Sequence, residues 1–173
     1  FNAKIQGHIE ELLVSPLSEV SIVIGYLAGG IIRGLAVATV VTFIALFFTQ
    51  INIKYPFMTL FVIIMTAAVF SLAGLINAIF AKKFDDIAVI PSFVLAPLTY
   101  LGGVFYTVSL LPEFWQTLSR FNPILYMINS MRYSVIGISD VSIQVALLMI
   151  IFFFFLLFTT AVILLRKGIG IRQ

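Results

Sequence analysis

Four long runs of apolar residues dominate the chain, at residues 20–48, 57–80, 87–111 and 141–165. A membrane-spanning α-helix needs roughly 20 mostly apolar residues, and each run is long enough. A soluble domain of 173 residues could not bury this surface, because 62% of the side chains are hydrophobic and only 10% are charged. The sequence therefore predicts an all-α, polytopic membrane protein with four transmembrane helices.

The basic residues between these runs fall mostly on one side of the membrane. If the chain crosses at every run, the Lys and Arg residues outside the runs split six to three between the two sides. The larger group lies at the start of the chain, in the turn AKKFDD and at the end of the chain. Because cytoplasmic loops carry the excess of Lys and Arg, we expect these three segments in the cytoplasm.

The opening residues 1–15 are polar, unlike most of the chain that follows. Apolar side chains recur there at steps of three and four, at Phe1, Ile5, Ile9 and Leu12. This spacing is typical of an amphipathic helix on a surface, and Ser15 followed by Pro16 favours a new helix in a new direction. Either the helix simply rests on lipid, or its polar face, with Glu10 and Glu11, docks a cytoplasmic protein.

The first apolar run is too long for the bilayer and contains a charge. At about 1.5 Å per residue, a helix over residues 20–48 exceeds a hydrocarbon core of ~30 Å, so it must tilt, kink or project. We favour projection into the cytoplasm, because a charge such as Arg33 costs at least ~2.5 kcal/mol at the membrane midplane. GxxxG pairs beginning at Gly25 and Gly30 would allow close helix packing, although glycine is also common in membrane helices.

Two polar features flank the end of the second run. Asn77 lies in a strip of small residues and should prefer a protein neighbour to lipid. Asp85 and Asp86 precede the third run, where their charges complement the positive end of a helix. The alternative is that they form a second contact with a cytoplasmic partner.

The third run is the most irregular, because prolines and a glycine pair interrupt it. Broken backbone is tolerated at membrane depth only where protein or a water-filled cavity satisfies its polar groups. We therefore expect part of a substrate pathway here, although aromatic packing alone is the alternative. The candidate pathway residues are Pro97, Tyr100, Gly102, Gly103, Phe105 and Tyr106.

The linker at residues 113–139 predicts two short amphipathic helices on the outer side. Apolar residues recur at helical spacing in both halves of the linker, and Asn122 followed by Pro123 favours the start of the second helix. Trp115 and several tyrosines are typical of the membrane interface. These helices should dip into the outer leaflet between the last two spans.

Catalytic residues, metal ligands and bound cofactors are not expected in this chain. It has no cysteine, its single histidine is His8, and every Asp and Glu falls in a loop or in the opening helix. A phosphate-binding loop of the form GxxxxGK[ST] is missing, so this sequence is not expected to hydrolyse ATP itself. A transporter of this kind would take its energy from a partner, whereas a membrane-embedded enzyme would need convergent titratable groups.

Several stretches resemble the permease subunits of ABC-2 type exporters in the inner membranes of Gram-negative bacteria. They are EELLVSPLS, FSLAGLINAIFAKKFDDIAVIPSFVLAPLTYLGGVFY and LLPEFWQTLSRFNPILYMINSMRY. The resemblance covers essentially all 173 residues. It implies six spans in the full subunit, so this stretch would lack the first two. It also implies that residues 113–139 form re-entrant outer helices.

The resemblance further implies that residues 1–15 form a coupling helix against a separate ATP-binding-cassette ATPase, which would hold ATP and Mg²⁺. Carried over by position, the coupling residues are Glu10, Glu11, Leu12, Leu13, Ser15 and Pro16. Two permeases, expected to be a homodimer, would assemble with two ATPases in the bacterial inner membrane, with no nucleic-acid partner. A scaffold that anchors an ATPase without transport, or a membrane-embedded enzyme, are the alternatives.

Overall fold

The computed structural model describes residues 17–50 and 52–168, which form helices joined by short connections, with no strand among them. The helices are α1 (Glu19–Leu46), α2 (Pro56–Phe80), α3 (Phe84–Ile90), α4 (Ala96–Leu101), α5 (Glu113–Arg120), α6 (Pro123–Ile136) and α7 (Ile143–Lys167). A π-helical segment (Pro91–Leu95) joins α3 to α4, and a 3-10 turn (Val108–Leu110) precedes α5. The all-α architecture is confirmed.

Four helical stretches in the described part of the chain are long and apolar enough to cross a membrane. They are α1, α2, the continuous stretch Phe84–Leu101 and α7. The helical part of the third stretch ends at Leu101, whereas the sequence pattern extends it to residue 111. The reason lies in the glycine pair, because Gly103 adopts a left-handed backbone with φ of +78°, which ends the helix.

The core joins the spans at two places. At the first, the buried residues of α1, α2 and α7 form one cluster that includes Val23, Leu72 and Ala161. At the second, Val69 of α2, Met127 of α6 and Ile150 of α7 pack together. Helix α6, predicted to lie on the outer side, is therefore built into the bundle and does not merely lie on its surface.

Small residues set the register between α1 and α2. Gly30 lies directly against Ser71, and a Cβ atom at Gly34 would come within 2.6 Å of the Ala67 Cβ. The Ser71 hydroxyl also donates a hydrogen bond of 3.3 Å to the carbonyl of Tyr26. The GxxxG pair that begins at Gly30 thus packs against α2, as predicted for close approach.

This antiparallel register also fixes the height of Arg33. Since Gly30 faces Ser71 and Gly34 faces Ala67, Arg33 lies level with the middle of α2 (Pro56–Phe80). By the same register, the first turn of α1 lies near the level of the turn after α2. Helix α1 therefore does not extend beyond the turn after α2, and its projection from the membrane into the cytoplasm stays a prediction.

The two GxxxG pairs provide a matched test of this packing. Gly30→Leu should destabilise the protein by about 1–3 kcal/mol, because a side chain there would collide with Ser71. Gly29→Leu is the control, because the structure leaves open space around Gly29. Thermal unfolding in detergent should show a lower midpoint for Gly30→Leu only. Equal midpoints for the two variants would contradict the register.

Candidate functional site

The six predicted coupling residues lie in residues 1–16, outside the described part of the chain. The described chain begins just after them. Ser18 is the N-cap of α1, and its hydroxyl accepts a hydrogen bond of 3.2 Å from the backbone N–H of Ser21. The assignment of Glu10, Glu11 and their neighbours to ATPase coupling therefore stays a prediction.

The AKKFDD turn is held together by one of its own carboxylates. The Asp86 Oδ2 atom accepts hydrogen bonds from the backbone N–H groups of Lys82 and Lys83, at 2.8 and 2.9 Å. Asn77 is buried and donates a 3.0 Å hydrogen bond to the carbonyl of Ile87, which ties α2 to α3. Asp86 thus has the local structural role expected near a helix start, and Asn77 has the protein neighbour that was predicted.

The broken third span packs against α6. Gly102 is buried, and a Cβ atom there would approach the Ile128 Cδ1 atom at 2.8 Å. The side chain of Asn122, the N-cap of α6, donates a 2.6 Å hydrogen bond to the carbonyl of Leu98. The Leu98 carbonyl next to the break is thus satisfied by protein, one of the two environments that such a break requires.

The six candidate pathway residues do not form one surface. Gly102 and Gly103 are buried against α6, whereas Tyr100 and Phe105 are 61% and 77% exposed. The rings of Tyr100 and Phe105 lie 6.2 Å apart, and the Tyr106 hydroxyl donates a 2.6 Å hydrogen bond to the carbonyl of Tyr100. The aromatic members therefore share one exposed patch, and their role in a pathway stays a prediction.

A polar network holds the predicted outer end of the bundle. Arg132 forms an ion pair of 3.0 Å with Asp140, and its other terminal nitrogen donates to the carbonyl of Gly103 at 2.6 Å. The Asp140 carboxylate also accepts a 3.4 Å hydrogen bond from the backbone N–H of Val108. Asn129, which is fully buried, accepts a 2.8 Å hydrogen bond from the Asp140 N–H. This network connects α6, the broken span and the approach to α7.

A second polar contact lies where α1 and α2 connect. The backbone N–H groups of Lys54 and Tyr55 donate to the carbonyls of Val135 and Ser134, at 3.0 and 2.9 Å. The ring of Tyr55 stacks on that of Tyr133 with centroids 5.3 Å apart. Hydrogen bonding with the Tyr55 side chain raises the pKa of Tyr133 above the ordinary value of a phenol.

A cavity of about 730 Å³ lies between α1, α2 and α6. Its wall is mostly apolar, and its polar members include Arg33, Thr66 and Ser71. The remaining lining residues are Gly30, Gly34, Val37, Val62, Ile63, Ala67, Phe70, Ile124, Met127, Ile128 and Met131. The volume is in the range that holds a drug-sized ligand. None of the six candidate pathway residues is on its wall.

Sequence reasoning identified only part of this cavity. Arg33 and the glycines of α1 were noted as unusual, and an apolar face was predicted for the helix that contains Met127 and Met131. No local pattern indicates that this face meets α1 and α2, because a complete span separates α6 from them along the chain. Thr66 was missed altogether, since a single threonine in a membrane helix has no distinctive pattern.

The comparisons with known proteins agree with this membrane architecture. Residues 2–136 match the profile of a family described as ABC-2 type transporter. The chain belongs to this family. It is 47% identical over 172 residues to the inner membrane transport permease YadH of Escherichia coli (strain K12), covering 99% of this chain and 67% of the relative. The same protein name, identity and coverage apply to a relative from Shigella flexneri.

A more distant relative of this ABC-2 type chain is nodulation protein J of Rhizobium leguminosarum bv. viciae. It is 24% identical over 141 residues, which cover 80% of this chain and 54% of the relative. No solved structure matches the chain. With its four apolar helices and its similarity to inner membrane transport permeases, the chain is a multi-pass transport permease of the bacterial inner membrane.

Proposed function

We propose that the chain is the membrane subunit of an ATP-binding-cassette exporter, in which it forms the substrate pathway while a separate subunit hydrolyses ATP. The observation that carries this proposal is the 47% identity to a transport permease over 99% of the chain. The chemistry of the described residues agrees with it, because their acidic side chains stand at helix ends and in turns. In this proposal the chain forms the pathway for the substrate, and the separate subunit supplies the energy for transport.

The coupling segment is assigned to residues 1–15 on the basis of sequence. A helix with a charged face next to a membrane span is suited to bind a cytoplasmic ATPase, since its polar side faces away from lipid. A conformational change of the ATPase could then be transmitted to the span. Two copies of the permease, related by a two-fold axis, would enclose a route that one copy of this size cannot easily surround. ATP and Mg²⁺ belong to the partner subunit in this proposal.

Reconstitution tests the proposal against the scaffold alternative. We expect the full-length permease to co-purify with an ATPase from native membranes, and the complex in liposomes to hydrolyse ATP faster when its substrate is added. Any lipid or small molecule retained by the purified complex, identified by mass spectrometry, supplies the first candidate substrates. The control is the same complex with the catalytic glutamate of the ATPase replaced by glutamine. Hydrolysis that no retained molecule stimulates, with no ATP-dependent movement of any of them, would favour the scaffold.

A further inference from the structure

The cavity between α1, α2 and α6 has a positive charge on its wall at the middle of the bundle. Arg33 lines this space, and the contacts of Gly30 and Gly34 with α2 place it level with the middle of that helix. A charged side chain at this depth is costly, and in membrane proteins it typically marks a substrate or ion site. A negatively charged group is therefore expected next to Arg33.

The described part of the chain supplies no such counter-charge. Its acidic residues stand at helix ends or in turns, namely Glu19, Asp85, Asp86, Glu113 and Asp140. Among residues 17–50 and 52–168, none of them forms an ion pair with Arg33, and Asp140 is already paired with Arg132. Arg33 is exposed and has no ion-pair partner among the described residues, so an anion paired with it would come from outside them.

The rest of the wall indicates the chemistry of the occupant. Most of the lining is apolar, and Met127 and Met131 provide flexible side chains that adapt to irregular apolar shapes. Thr66 also lines the cavity, and its hydroxyl oxygen has no hydrogen-bond partner within the described chain. An occupant with one anionic end and an apolar body would complement both parts of this wall.

We propose that the cavity binds an amphiphile dissolved in the membrane, with one carboxylate or phosphate group held by Arg33 and an apolar body along α6. The planar guanidinium of arginine matches the oxygen geometry of both acidic groups. A volume of about 730 Å³ suits a molecule with a single apolar chain or ring system. Binding of such a molecule in the cavity does not depend on the proposed function. Its identification as the transported molecule does rest on the proposed function.

Dodecyl phosphate is a suitable probe, with dodecanol and dodecyltrimethylammonium as matched neutral and cationic molecules. The full-length permease is placed in phosphatidylcholine nanodiscs, and binding of radiolabelled dodecyl phosphate is measured without ATP and corrected with empty nanodiscs. We expect dodecyl phosphate to bind saturably, and we expect that neither dodecanol nor dodecyltrimethylammonium displaces it. Displacement by dodecanol to the same extent would show that the charge is not recognised and would overturn the proposal.

Variants then connect the binding to the cavity. Arg33→Gln should weaken binding about tenfold to a hundredfold, the usual size of a lost charge-assisted contact, whereas Arg33→Lys should retain most of it. Val37→Phe should also weaken binding by filling the cavity, since Val37 lines it, whereas Val40→Phe is the control on an exposed position outside the lining. Arg120→Gln, on an exposed outer helix position, controls for loss of any positive charge.

The outcomes separate this inference from the proposed function. Wild-type binding in both Arg33→Gln and Val37→Phe would overturn the cavity assignment, even if the complex transports another molecule. Binding that depends on Arg33, without ATP-driven movement of the probe in liposomes, would support the site and count against transport of this ligand class. Size-exclusion profiles and fluorescence of the single tryptophan, Trp115, confirm that each variant is folded.

Discussion

Replacing Asn129 by Leu should destabilise the outer end of the bundle by about 2–3 kcal/mol. The side chain is fully buried and donates a 3.0 Å hydrogen bond to the carbonyl of Leu125. Its oxygen accepts from the Asp140 N–H at 2.8 Å and from the Ser139 hydroxyl at 3.3 Å. A buried donor that loses its partner costs about 1–3 kcal/mol, and the bulkier leucine adds strain in a packed site.

The effect should extend beyond Asn129 itself. Asn129 holds the backbone of Asp140 in place. The Asp140 carboxylate in turn pairs with Arg132 and accepts a hydrogen bond from the Val108 N–H. If Asp140 moved, Arg132 would lose its ion-pair partner and its hydrogen bond to the Gly103 carbonyl would weaken. That hydrogen bond holds the turn of the broken span. We therefore expect the broken span to loosen together with the start of α7.

Trp115 fluorescence during thermal unfolding in detergent measures this effect, because the only tryptophan lies on the outer helix α5. Asn129→Asp keeps an acceptor oxygen but loses the donor to the Leu125 carbonyl and buries a carboxylate, so it should also destabilise the fold. Asn52→Leu is the control for an asparagine on an exposed position of the same protein. An unfolding midpoint unchanged in Asn129→Leu would show that the network contributes nothing measurable to the fold.

The number of spans could be predicted from sequence because it depends on local hydrophobicity alone. Each apolar run is long enough to cross the bilayer, and a helix satisfies its own backbone hydrogen bonds wherever it packs. The need of Asn77 for a protein partner was predictable for the same reason, since a buried amide without a partner is costly. Its partner, the Ile87 carbonyl, lies 10 residues further along the chain, just after the AKKFDD turn.

The features that failed or were missed depend on contacts between distant segments. The register of α1 follows from Gly30 and Gly34 against α2, and the length of an isolated helix with one arginine does not encode it. The position of α6 in the bundle depends on Met127 meeting Val69 and Ile150, which no local period encodes. The cavity exists only because these long-range contacts bring three helices together around Arg33.

The candidate pathway residues illustrate the same limit within a single segment. The sequence showed that the backbone breaks around Gly102 and Gly103, and the structure has a break there. It did not show that the buried glycines would pack on α6 while Tyr100 and Phe105 face outwards. The φ angle of a glycine sets the direction of the chain after it, and this angle depends on the packing of α6.

Reversing the charge of Glu10 and Glu11 together should strongly weaken the coupling of ATP hydrolysis to transport. These adjacent carboxylates lie on the polar side of a predicted amphipathic helix that precedes the first span, where we place the ATPase contact. Like charges facing each other across an interface cost several kcal/mol, whereas the membrane spans are untouched. We expect transport to fall at least about tenfold in Glu10→Lys/Glu11→Lys, with normal insertion of the permease in the membrane.

Three measurements on one preparation resolve this prediction. Membrane insertion is followed by the yield and size-exclusion profile of the permease, assembly by co-purification of the ATPase, and coupling by the ratio of substrate moved to ATP hydrolysed. Glu113→Lys is the matched control, because this reversal lies at the start of α5, on the predicted outer side, beyond the reach of a cytoplasmic ATPase. If the double variant keeps both wild-type assembly and wild-type transport, the segment is an interfacial helix that rests on lipid, and the ATPase contact lies elsewhere.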